Sequence, residues 1–325
     1  MRFVIAGGGT GGHIYPAVAV AERLSICGDV IMLARSGSME ERIFKTHGLE
    51  VRTIQSAPLL PNPKALWRFL KTVEAGTANA RHIMNSCKPD AFIGTGGYVS
   101  VPGILAARQC HIPIFLLEQN SVMGRANRLF AHYACKVFLG FPLCNGSENE
   151  RFVLTGNPVR KSVYQSLLEG RDHLAERKGL LFLGGSGGAS FINGLFLQTV
   201  QRFEERARDI DIYAVTGEDG YDAAQHAVER LLLQHVRPHV LPYEERMERL
   251  YAQASVAVSR GGALALTELA VGGIYTLIIP YPYAVGQHQS KNAAYLESLG
   301  LGKRFEQKNF DFEQFYSVLC MALDR

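Results

Sequence analysis

A short apolar segment near the start of the chain leads directly into a glycine-rich turn. Phe3-Val4-Ile5-Ala6 is followed by Gly7-Gly8-Gly9-Thr10-Gly11-Gly12-His13, and a helical pattern containing Pro16 comes next. This order predicts a strand, a glycine loop and a helix. The backbone amides of such a loop lie beside the positive end of the helix dipole, so we expect the turn to bind a phosphate or another anionic group.

A histidine ends this turn. The positive potential at a helix N-terminus disfavours a second positive charge, so it biases the imidazole of His13 towards its neutral form. A neutral imidazole can take a proton from a substrate hydroxyl. His13 is therefore a candidate general base.

The same glycines also match a dinucleotide-binding pattern. Gly7, Gly9 and Gly12 satisfy G-x-G-x-x-G, which expects an acidic residue at the end of the second strand, roughly 20 residues further on. The second predicted strand runs instead into Ala34-Arg35-Ser36, without a carboxylate. An arginine there suits a 2′-phosphate, so an NADP-dependent oxidoreductase remains an alternative at this point.

Strand-like apolar segments alternate with helical patterns, which predicts an α/β fold with parallel sheets covered by helices. The chain has 325 residues, of which 47% are apolar, and this is enough for two buried cores. The strand-like segments of the first half are residues 30–33, 91–93, 114–117 and 137–139.

The second half of the chain opens in the same way as the first. After a polar stretch around Pro158, the apolar segment Leu180–Leu183 enters a second glycine loop, 184–189, and a helical pattern follows. Doubly wound sheets bind ligands beyond the carboxyl ends of their strands. The sequence therefore predicts two doubly wound domains, 1–157 and 158–325, that face each other across a cleft.

Composition excludes several classes of protein. A net charge of +4 is too diffuse to indicate nucleic-acid binding, but it is compatible with an anionic membrane surface. We expect no signal peptide, and no segment approaches the roughly 20 apolar residues of a membrane-spanning helix. The cysteines form no C-x-x-C pair, so we predict buried, reduced thiols in a cytoplasmic protein. They are Cys27, Cys87, Cys110, Cys135, Cys144 and Cys320.

A third turn of this kind follows residues 256–258 and leads into a helix that contains Glu268. A carboxylate at that position suits a ribose diol, although it could simply complement the helix dipole. The loop 281–289 is rich in amides and aromatic rings. It could read sugar hydroxyls or be an ordinary solvated loop.

Together, these motifs resemble the MurG-type glycosyltransferases, which join N-acetylglucosamine to a lipid-linked muramoyl-peptide precursor of peptidoglycan. The resemblance covers nearly the whole chain, and the combination and order of the motifs are highly specific. The matching segments are 8–13 with Pro16, 94–100, 118–120, 156–160, 184–186, 259–260, 267–268, 288–289 and 292–293.

The resemblance implies a GT-B fold with the lipid acceptor in the first domain and the donor, UDP-N-acetylglucosamine, mainly in the second. It assigns Ser186 and the amides of Ala263, Leu264, Ala265 and Leu266, with Thr267 beside them, to the diphosphate end of the donor. It assigns Glu268 to the ribose, Arg160 and the main chain of Glu244 to the uracil, and Gln289 to the sugar hydroxyls. Asn120 and the turn Thr10-Gly11-Gly12 would reach the sugar or the reacting centre from the first domain.

The implied reaction is a single displacement with inversion, in which the 4-hydroxyl of the muramoyl sugar attacks the anomeric carbon and UDP leaves. His13 is the predicted base, and Glu118 is the competing candidate. Helix N-termini can carry the charge of the diphosphate, and no D-x-D motif is placed to bind a metal. We therefore expect no required cofactor and no catalytic metal.

The acceptor carries a polyprenyl chain, so the resemblance implies a peripheral enzyme that acts at the cytoplasmic face of the bacterial inner membrane. The segment 63–73 mixes bulky apolar and basic residues, as interfacial helices do, although such a segment can also pack on its own core. The predicted membrane-associating residues are Lys64, Leu66, Trp67, Arg68, Phe69, Leu70 and Lys71. Other cell-wall enzymes are further expected partners.

The chain departs from the family pattern at Gly187, Gly261 and Tyr275, where glutamine, alanine or serine, and proline are usual. The added glycines predict looser loops. The family also continues with helices beyond the position of Arg325, so we expect weaker domain closure.

Two rival functions remain: another UDP-sugar enzyme of the same fold, such as a sugar 2-epimerase or a glycolipid glucosyltransferase, and a non-catalytic scaffold of the cell-wall machinery.

Overall fold

Both halves of the chain are built on parallel sheets with helices packed against them. The computed structural model describes residues 1–58, 63–144, 149–169, 178–184 and 190–324. The chain divides into a first unit, Met1–Arg160, and a second unit, Lys161–Arg325. The sequence places this boundary after Asn157, whereas in the structure the polar segment around Pro158 belongs to the first unit.

The first unit contains seven strands and five α-helices in its described residues. The strands are β1 (Arg2–Ala6), β2 (Asp29–Arg35), β3 (Glu50–Ile54), β4 (Ala91–Gly94), β5 (Ile114–Glu118), β6 (Lys136–Leu139) and β7 (Phe152–Leu154). The helices are α1 (Gly11–Leu24), α2 (Met39–Thr46), α3 (Pro63–Cys87), α4 (Ser100–Gln109) and α5 (Arg125–Phe130).

All the strands of the first sheet are parallel, in the order β3-β2-β1-β4-β5-β6-β7. Alternate residues of β1 enter two different cores. Val4 and Ala6 pack on the side of α3 and α4, and Ile5 packs on the side of α1 and α2. The chain order reverses between the neighbouring strands β1 and β4, and ligands of such sheets bind beyond the carboxyl ends of the strands at this point.

The second unit repeats this design. Its strands are β8 (Gly179–Leu183), β9 (Ile210–Val215), β10 (Val236–Leu241), β11 (Ala254–Ser259), β12 (Tyr275–Ile278) and β13 (Gly302–Arg304). Its helices are α6 (Lys161–Glu169), α7 (Ser190–Glu205), α8 (Glu218–Glu229), α9 (Met247–Tyr251), α10 (Ala263–Val271), α11 (His288–Ser298) and α12 (Phe312–Leu323). The strands are parallel in the order β10-β9-β8-β11-β12-β13, which reverses between β8 and β11.

The prediction of buried cysteines is wrong. All six are free thiols; Cys27, Cys135 and Cys144 are exposed, and the other three are only partly buried. The physical reason is their position. Cys87 ends α3 and Cys110 follows α4, so these side chains lie at the ends of elements and not in the interior of a strand.

None of the helices in the described part of the chain is long and apolar enough to cross a bilayer.

Candidate active site

His13 lies in the first turn of α1, beside the loop that follows β4. Its Nδ1 is 2.9 Å from the carbonyl oxygen of Thr95, and the Thr95 hydroxyl donates in return to the His13 carbonyl at 2.7 Å. A carbonyl oxygen can only accept, so the ring proton is on Nδ1. The neutral ring therefore keeps a lone pair on Nε2, which is the tautomer that a general base needs.

Two glycines after Thr95 allow this contact. Gly96 and Gly97 have φ angles of +98° and +76°, which side-chain-bearing residues rarely adopt. A Cβ on Gly96 would lie 2.8 Å from the His13 Nδ1, and a Cβ on Gly97 would lie 2.1 Å from the Gly8 carbonyl oxygen. The loops after β1 and β4 can therefore meet at His13 only because these positions lack side chains.

The predicted anion-binding turn is the N-terminus of α1. Thr10 is the exposed N-cap residue, and its carbonyl accepts the amides of His13 and Ile14 at 3.0 and 3.2 Å. By helix geometry the amides of Gly11 and Gly12 have no intrahelical acceptor. These two amides are the donors that the turn can offer to an anion.

Glu118, the competing base, has its carboxylate fully engaged by N–H donors. One oxygen accepts from the backbone and side-chain nitrogens of Asn120, at 3.2 and 3.4 Å. The other accepts from the amide of Gly124 at 2.8 Å and from the side chain of Asn127 at 3.0 Å. Glu118 is 1% exposed. This geometry makes Glu118 the anchor of the loop that carries Asn120, with both carboxylate oxygens occupied by N–H donors.

A polar cluster lines the other side of the first glycine loop. The Glu40 carboxyl carbon would be 3.0 Å from a Cβ on Gly8, and the ring of Tyr98 would be 2.8 Å from one on Gly9. Burial raises the pKa of the Tyr98 phenol; Glu40 adds to this shift and Arg35 opposes it. Within the described residues, one buried oxygen of Glu40 has no hydrogen-bond partner.

In the second unit, the N-terminus of α10 is the predicted diphosphate site. The amide of Leu266 already donates to the Gly262 carbonyl at 3.0 Å, so it is not available to a ligand. The amides of Ala263, Leu264 and Ala265 remain, because a helix supplies no acceptor for its first N–H groups. Thr267 donates its hydroxyl to the Ala263 carbonyl at 2.8 Å, within its own helix.

Glu268 lies farther along α10 and is 9% exposed. One of its carboxylate oxygens accepts a hydrogen bond of 2.9 Å from the hydroxyl of Tyr251, the last residue of α9, which is 1% exposed. This bond fixes the orientation of the carboxylate. It also satisfies one of its oxygens inside the protein.

Gln289 lies at the start of α11, where its side-chain oxygen accepts the amides of Gly261 and Tyr281 at 3.2 and 2.8 Å. Its NH2 group is therefore the part that suits a sugar hydroxyl. Asn292 donates to the Gly261 carbonyl at 3.0 Å. Gly261 is thus held at both its N–H and its carbonyl, and a Cβ there would lie 2.3 Å from the Gln289 carbonyl oxygen. The looser loop expected at Gly261 is wrong, because the glycine permits a close clamp.

Arg260 ties several loops of the second unit together. Its guanidinium donates to the Ile279 carbonyl at 3.1 Å and to the Gln307 side chain at 2.8 Å, and it lies 5.6 Å from the centre of the Tyr281 ring. Burial lowers the pKa of this guanidinium. The sequence assigned no role to Arg260, which holds the amide-rich loop in place.

The two residues assigned to the uracil belong to different units. Arg160 closes the first unit and places its guanidinium 4.8 Å from the centre of the Tyr15 ring on α1. Glu244 precedes α9 in the second unit, and its carboxylate accepts the Arg246 amide at 2.7 Å. Ser186 and Gly187 lie outside the described residues.

The predicted membrane-associating segment forms the beginning of α3. Trp67 and Leu70 are 65% and 57% exposed, and the Lys71 ammonium lies 4.6 Å from the centre of the Trp67 ring. Arg68 is exposed and Phe69 is half-buried. The side chains of Lys64 and Leu66 are outside the described part of the structure.

The sequence analysis missed several residues that orient the candidate groups. Thr95 and Gly96 lie in the quoted motif 94–100, so a signal was present. Tyr251 lies well before Glu268 in a separate helix, and no local pattern links the two. No group of three His, Cys, Asp or Glu side chains that could hold a metal ion occurs among the residues that the structure describes.

Two family models match the chain, one in each unit. The glycosyltransferase family 28 N-terminal domain matches residues 3–139, and the family 28 C-terminal domain matches residues 179–321. The matches include both glycine turns of the first unit and the α10 turn of the second.

Curated relatives match most of the chain. A "UDP-N-acetylglucosamine--N-acetylmuramyl-(pentapeptide) pyrophosphoryl-undecaprenol N-acetylglucosamine transferase" of Halothermothrix orenii is 37% identical over 313 residues, covering 92% of this chain and 84% of that protein. A protein of the same name from Acidithiobacillus ferrooxidans is 34% identical, with coverages of 97% and 87%.

Solved structures agree with these matches. The crystal structure of Acinetobacter baumannii MurG superposes with a TM-score of 0.76 at 29% identity, covering 98% of this chain and 90% of that one. A kitacinnamycin glycosyltransferase superposes with a TM-score of 0.70 at 16% identity, covering 100% and 91%, which shows the shared fold alone. The predicted fold class, two Rossmann-like α/β domains of the GT-B type, is confirmed.

Proposed function

Since the chain belongs to glycosyltransferase family 28, we infer that it transfers N-acetylglucosamine from UDP-N-acetylglucosamine to the lipid-linked N-acetylmuramoyl-pentapeptide of peptidoglycan synthesis. The observation that carries this conclusion is 37% identity over 92% of the chain to a transferase of that name. The two-unit α/β fold and the imidazole at the start of α1 support it independently.

The proposed chemistry is an in-line displacement. The 4-hydroxyl of the muramoyl sugar gives its proton to Nε2 of His13, its oxygen bonds to the anomeric carbon, and the bond to UDP breaks with inversion. The fixed Nδ1–H tautomer supports this role for His13. The amides of Gly11 and Gly12, next to Thr10, offer hydrogen bonds to anionic groups at the reacting centre. Asn120 is assigned to the same centre by family resemblance.

The donor is proposed to bind the second unit through groups that the fold leaves available. The N-terminal amides of α10 suit the diphosphate, because their partial positive charge complements the leaving group. Glu268 suits the ribose diol, and the NH2 group of Gln289 suits a sugar hydroxyl. Arg160 and the main chain at Glu244 are assigned to the uracil, and Ser186 to the diphosphate, by family resemblance only.

We further propose that no metal or other cofactor is required, because helix amides can neutralise the leaving diphosphate.

The exposed Trp67 and Leu70 with the basic Arg68 and Lys71 suit the interface of an anionic membrane. A peripheral position on the cytoplasmic face of the inner membrane follows from this proposal. Contacts with other cell-wall enzymes and a part in cell shape and division belong to the same proposal.

The test is transfer of radiolabel from UDP-N-acetylglucosamine to a lipid-linked muramoyl-pentapeptide in detergent. We expect labelled lipid with the wild type and with the control His82→Ala, which alters an exposed histidine of α3. His13→Ala should lower kcat by about 10²- to 10⁴-fold, the usual contribution of a general base, while UDP still binds.

Two results would contradict the proposal in different ways. Tight binding of the UDP-sugar without labelled lipid would favour a scaffold or another UDP-sugar enzyme. Labelled lipid at the wild-type rate with His13→Ala would retain the transferase and remove His13 as its base.

A further inference from the structure

We propose that Gln119 is a positioning residue for His13, because its side-chain amide holds the carbonyl of Thr95 against the imidazole. The inference rests on the proposed function, in which His13 takes the proton. Gln119 follows β5 directly and is 1% exposed. Because its side chain is buried, Gln119 can influence the substrate only through the residues that it contacts.

The Thr95 carbonyl oxygen accepts two hydrogen bonds, from His13 Nδ1 at 2.9 Å and from Gln119 Nε2 at 3.0 Å. A carbonyl oxygen has two lone pairs, so these two donors fill it and fix its direction. The need for a second donor arises from the next residue. Gly96 has no Cβ to restrict rotation of the peptide that carries this carbonyl.

Gln119 is itself held firmly enough to act as an anchor. Its backbone carbonyl accepts a hydrogen bond of 3.1 Å from the side chain of Asn157, beyond β7. Its chain neighbour Glu118 is fixed by four N–H donors. The long side chain therefore starts from a rigid backbone, and its amide can transmit that rigidity to Thr95.

Stability alone does not explain an amide at this position. The Gln119 Oε1 is buried and, within the described residues, has no hydrogen-bond partner. A buried, unsatisfied oxygen destabilises a fold, and a methionine of similar shape would fill the space without one. What the glutamine provides, and methionine does not, is the N–H that reaches Thr95.

Loss of that N–H has a specific chemical consequence. Without Gln119 Nε2 the Thr95 carbonyl can turn away from His13 Nδ1, and a positively charged imidazolium then loses its acceptor. Removing Gln119 Nε2 should therefore disfavour the protonated ring and move the acid limb of the pH–rate profile to lower pH. The titratable or charged side chains that the described contacts place near this site are Glu40 and Tyr98 beside the first glycine loop, Arg35 near Tyr98, Glu118 next to Gln119, and Arg160 against Tyr15 of α1.

The experiment compares Gln119→Met with the wild type in the lipid-transfer assay. We expect kcat to fall about 10- to 100-fold, the cost of a misplaced catalytic group. The KM for UDP-N-acetylglucosamine should change less than 2-fold, about the error of such a measurement. The thermal midpoint should not fall. The control is Thr199→Val, which removes a buried hydroxyl bonded within α7 of the second unit.

A double variant tests whether Gln119 acts through His13. In the His13→Ala background, Gln119→Met should cause no further loss, because residues that act as one unit are not additive. Equal losses in both backgrounds, or an unchanged acid limb, would overturn the proposal for Gln119. A wild type without transfer activity, or an active His13→Ala, would instead overturn the proposed function.

Discussion

At the scale of single residues, the structure separates two candidates that the sequence left side by side. His13 keeps Nε2 available because Thr95 occupies Nδ1. Glu118 has both carboxylate oxygens occupied by four N–H groups. A base needs a free lone pair directed at the substrate, so the hydrogen bonds favour His13 as the base.

Replacing the Glu118 carboxylate by an amide should harm the loop and not the pH profile. Glu118→Gln turns an NH2 group towards N–H donors, so we expect a loss of about 1–3 kcal/mol in unfolding free energy. Transfer should fall while the acid limb of kcat/KM stays in place. Urea unfolding and pH–rate profiles measure both quantities, with the exposed Glu245→Gln as the control. Disappearance of the acid limb would restore Glu118 as a base.

The hydroxyl of Tyr251 should matter for donor binding. It donates to Glu268 at 2.9 Å, and a hydrogen bond to a charged group contributes about 1.5 kcal/mol or more, so Tyr251→Phe should weaken UDP binding by about 10-fold. Calorimetric titration with UDP measures this, with Tyr213→Phe, on β9 of the same unit, as a control. In a Glu268→Ala background the added effect should vanish. A full effect there would show that Tyr251 acts on the donor in another way.

At the scale of elements, the geometry of the site depends on how closely two loops approach. The loops after β1 and β4 meet because Gly97 leaves room for the Gly8 carbonyl and Gly96 leaves room for the His13 ring. In the second unit, Gly261 lets α11 approach the α10 turn in the same way. In each case a missing Cβ decides which side chains can meet.

Gly97→Ala should abolish transfer for a steric reason. Its Cβ would lie 2.1 Å from a backbone oxygen, so the loop at His13 must move. Gly48→Ala is a matched control, because Gly48 has φ +68° and nothing within 4 Å of a new Cβ. The control should carry only the backbone strain, about 1–2 kcal/mol, and keep its activity. Equal activity of the two variants would contradict this account.

The beginning of α3 should determine membrane affinity. Replacing Trp67 and Leu70 by serine removes two exposed apolar side chains, so binding to vesicles that contain anionic lipid should fall at least about 10-fold. Co-sedimentation measures this binding. Leu232→Ser is the control, because Leu232 is 96% exposed on the second unit. Unchanged sedimentation of the Trp67 and Leu70 variant would reject α3 as the membrane contact.

At the scale of the whole molecule, the two units are built on parallel sheets of similar topology. Each has a reversal of strand order, and the candidate groups follow the strands at that point: β1 and β4 in the first unit, β11 in the second. The two sheets have separate buried cores. The repeat of one design explains why the same kind of glycine turn recurs.

The second unit should lose stability in acid through Glu204. Burial opposes its ionisation, but three backbone N–H groups, of Gln234, Val236 and His235, hold its pKa below the ordinary value of a glutamate. A lowered folded pKa gives stability that is present above the unfolded pKa and is lost as pH falls through the folded one. Glu204→Gln should therefore unfold more easily at pH 7 and show a flatter acid dependence. Thermal midpoints between about pH 7 and pH 3 test this.

The sequence by itself determined the local architecture and the family. The apolar segments that became β1, β4, β5, β8 and β11 are continuous because a strand covered on both faces has no polar side, and this pattern is visible without a structure. The glycine-rich turns indicated where helices begin. Residues without a Cβ let the backbone at such a turn approach a ligand closely. The position of Glu268 within a helix that follows a glycine turn was readable in the same way, whereas Gln289, which the sequence placed in a loop, lies in the first turn of α11.

The tertiary structure alone decided what the candidate groups contact. The tautomer of His13 depends on Thr95 and the anchoring of Glu118 on Asn127, and these partners are brought together by parallel strands. The same holds for Tyr251 and Glu268, which belong to separate helices. Local sequence patterns could not predict the exposure of the cysteines either, because burial depends on which elements pack over a residue. Hydrogen-bond partners distant in the chain leave no periodic trace in a sequence, so only folding reveals them.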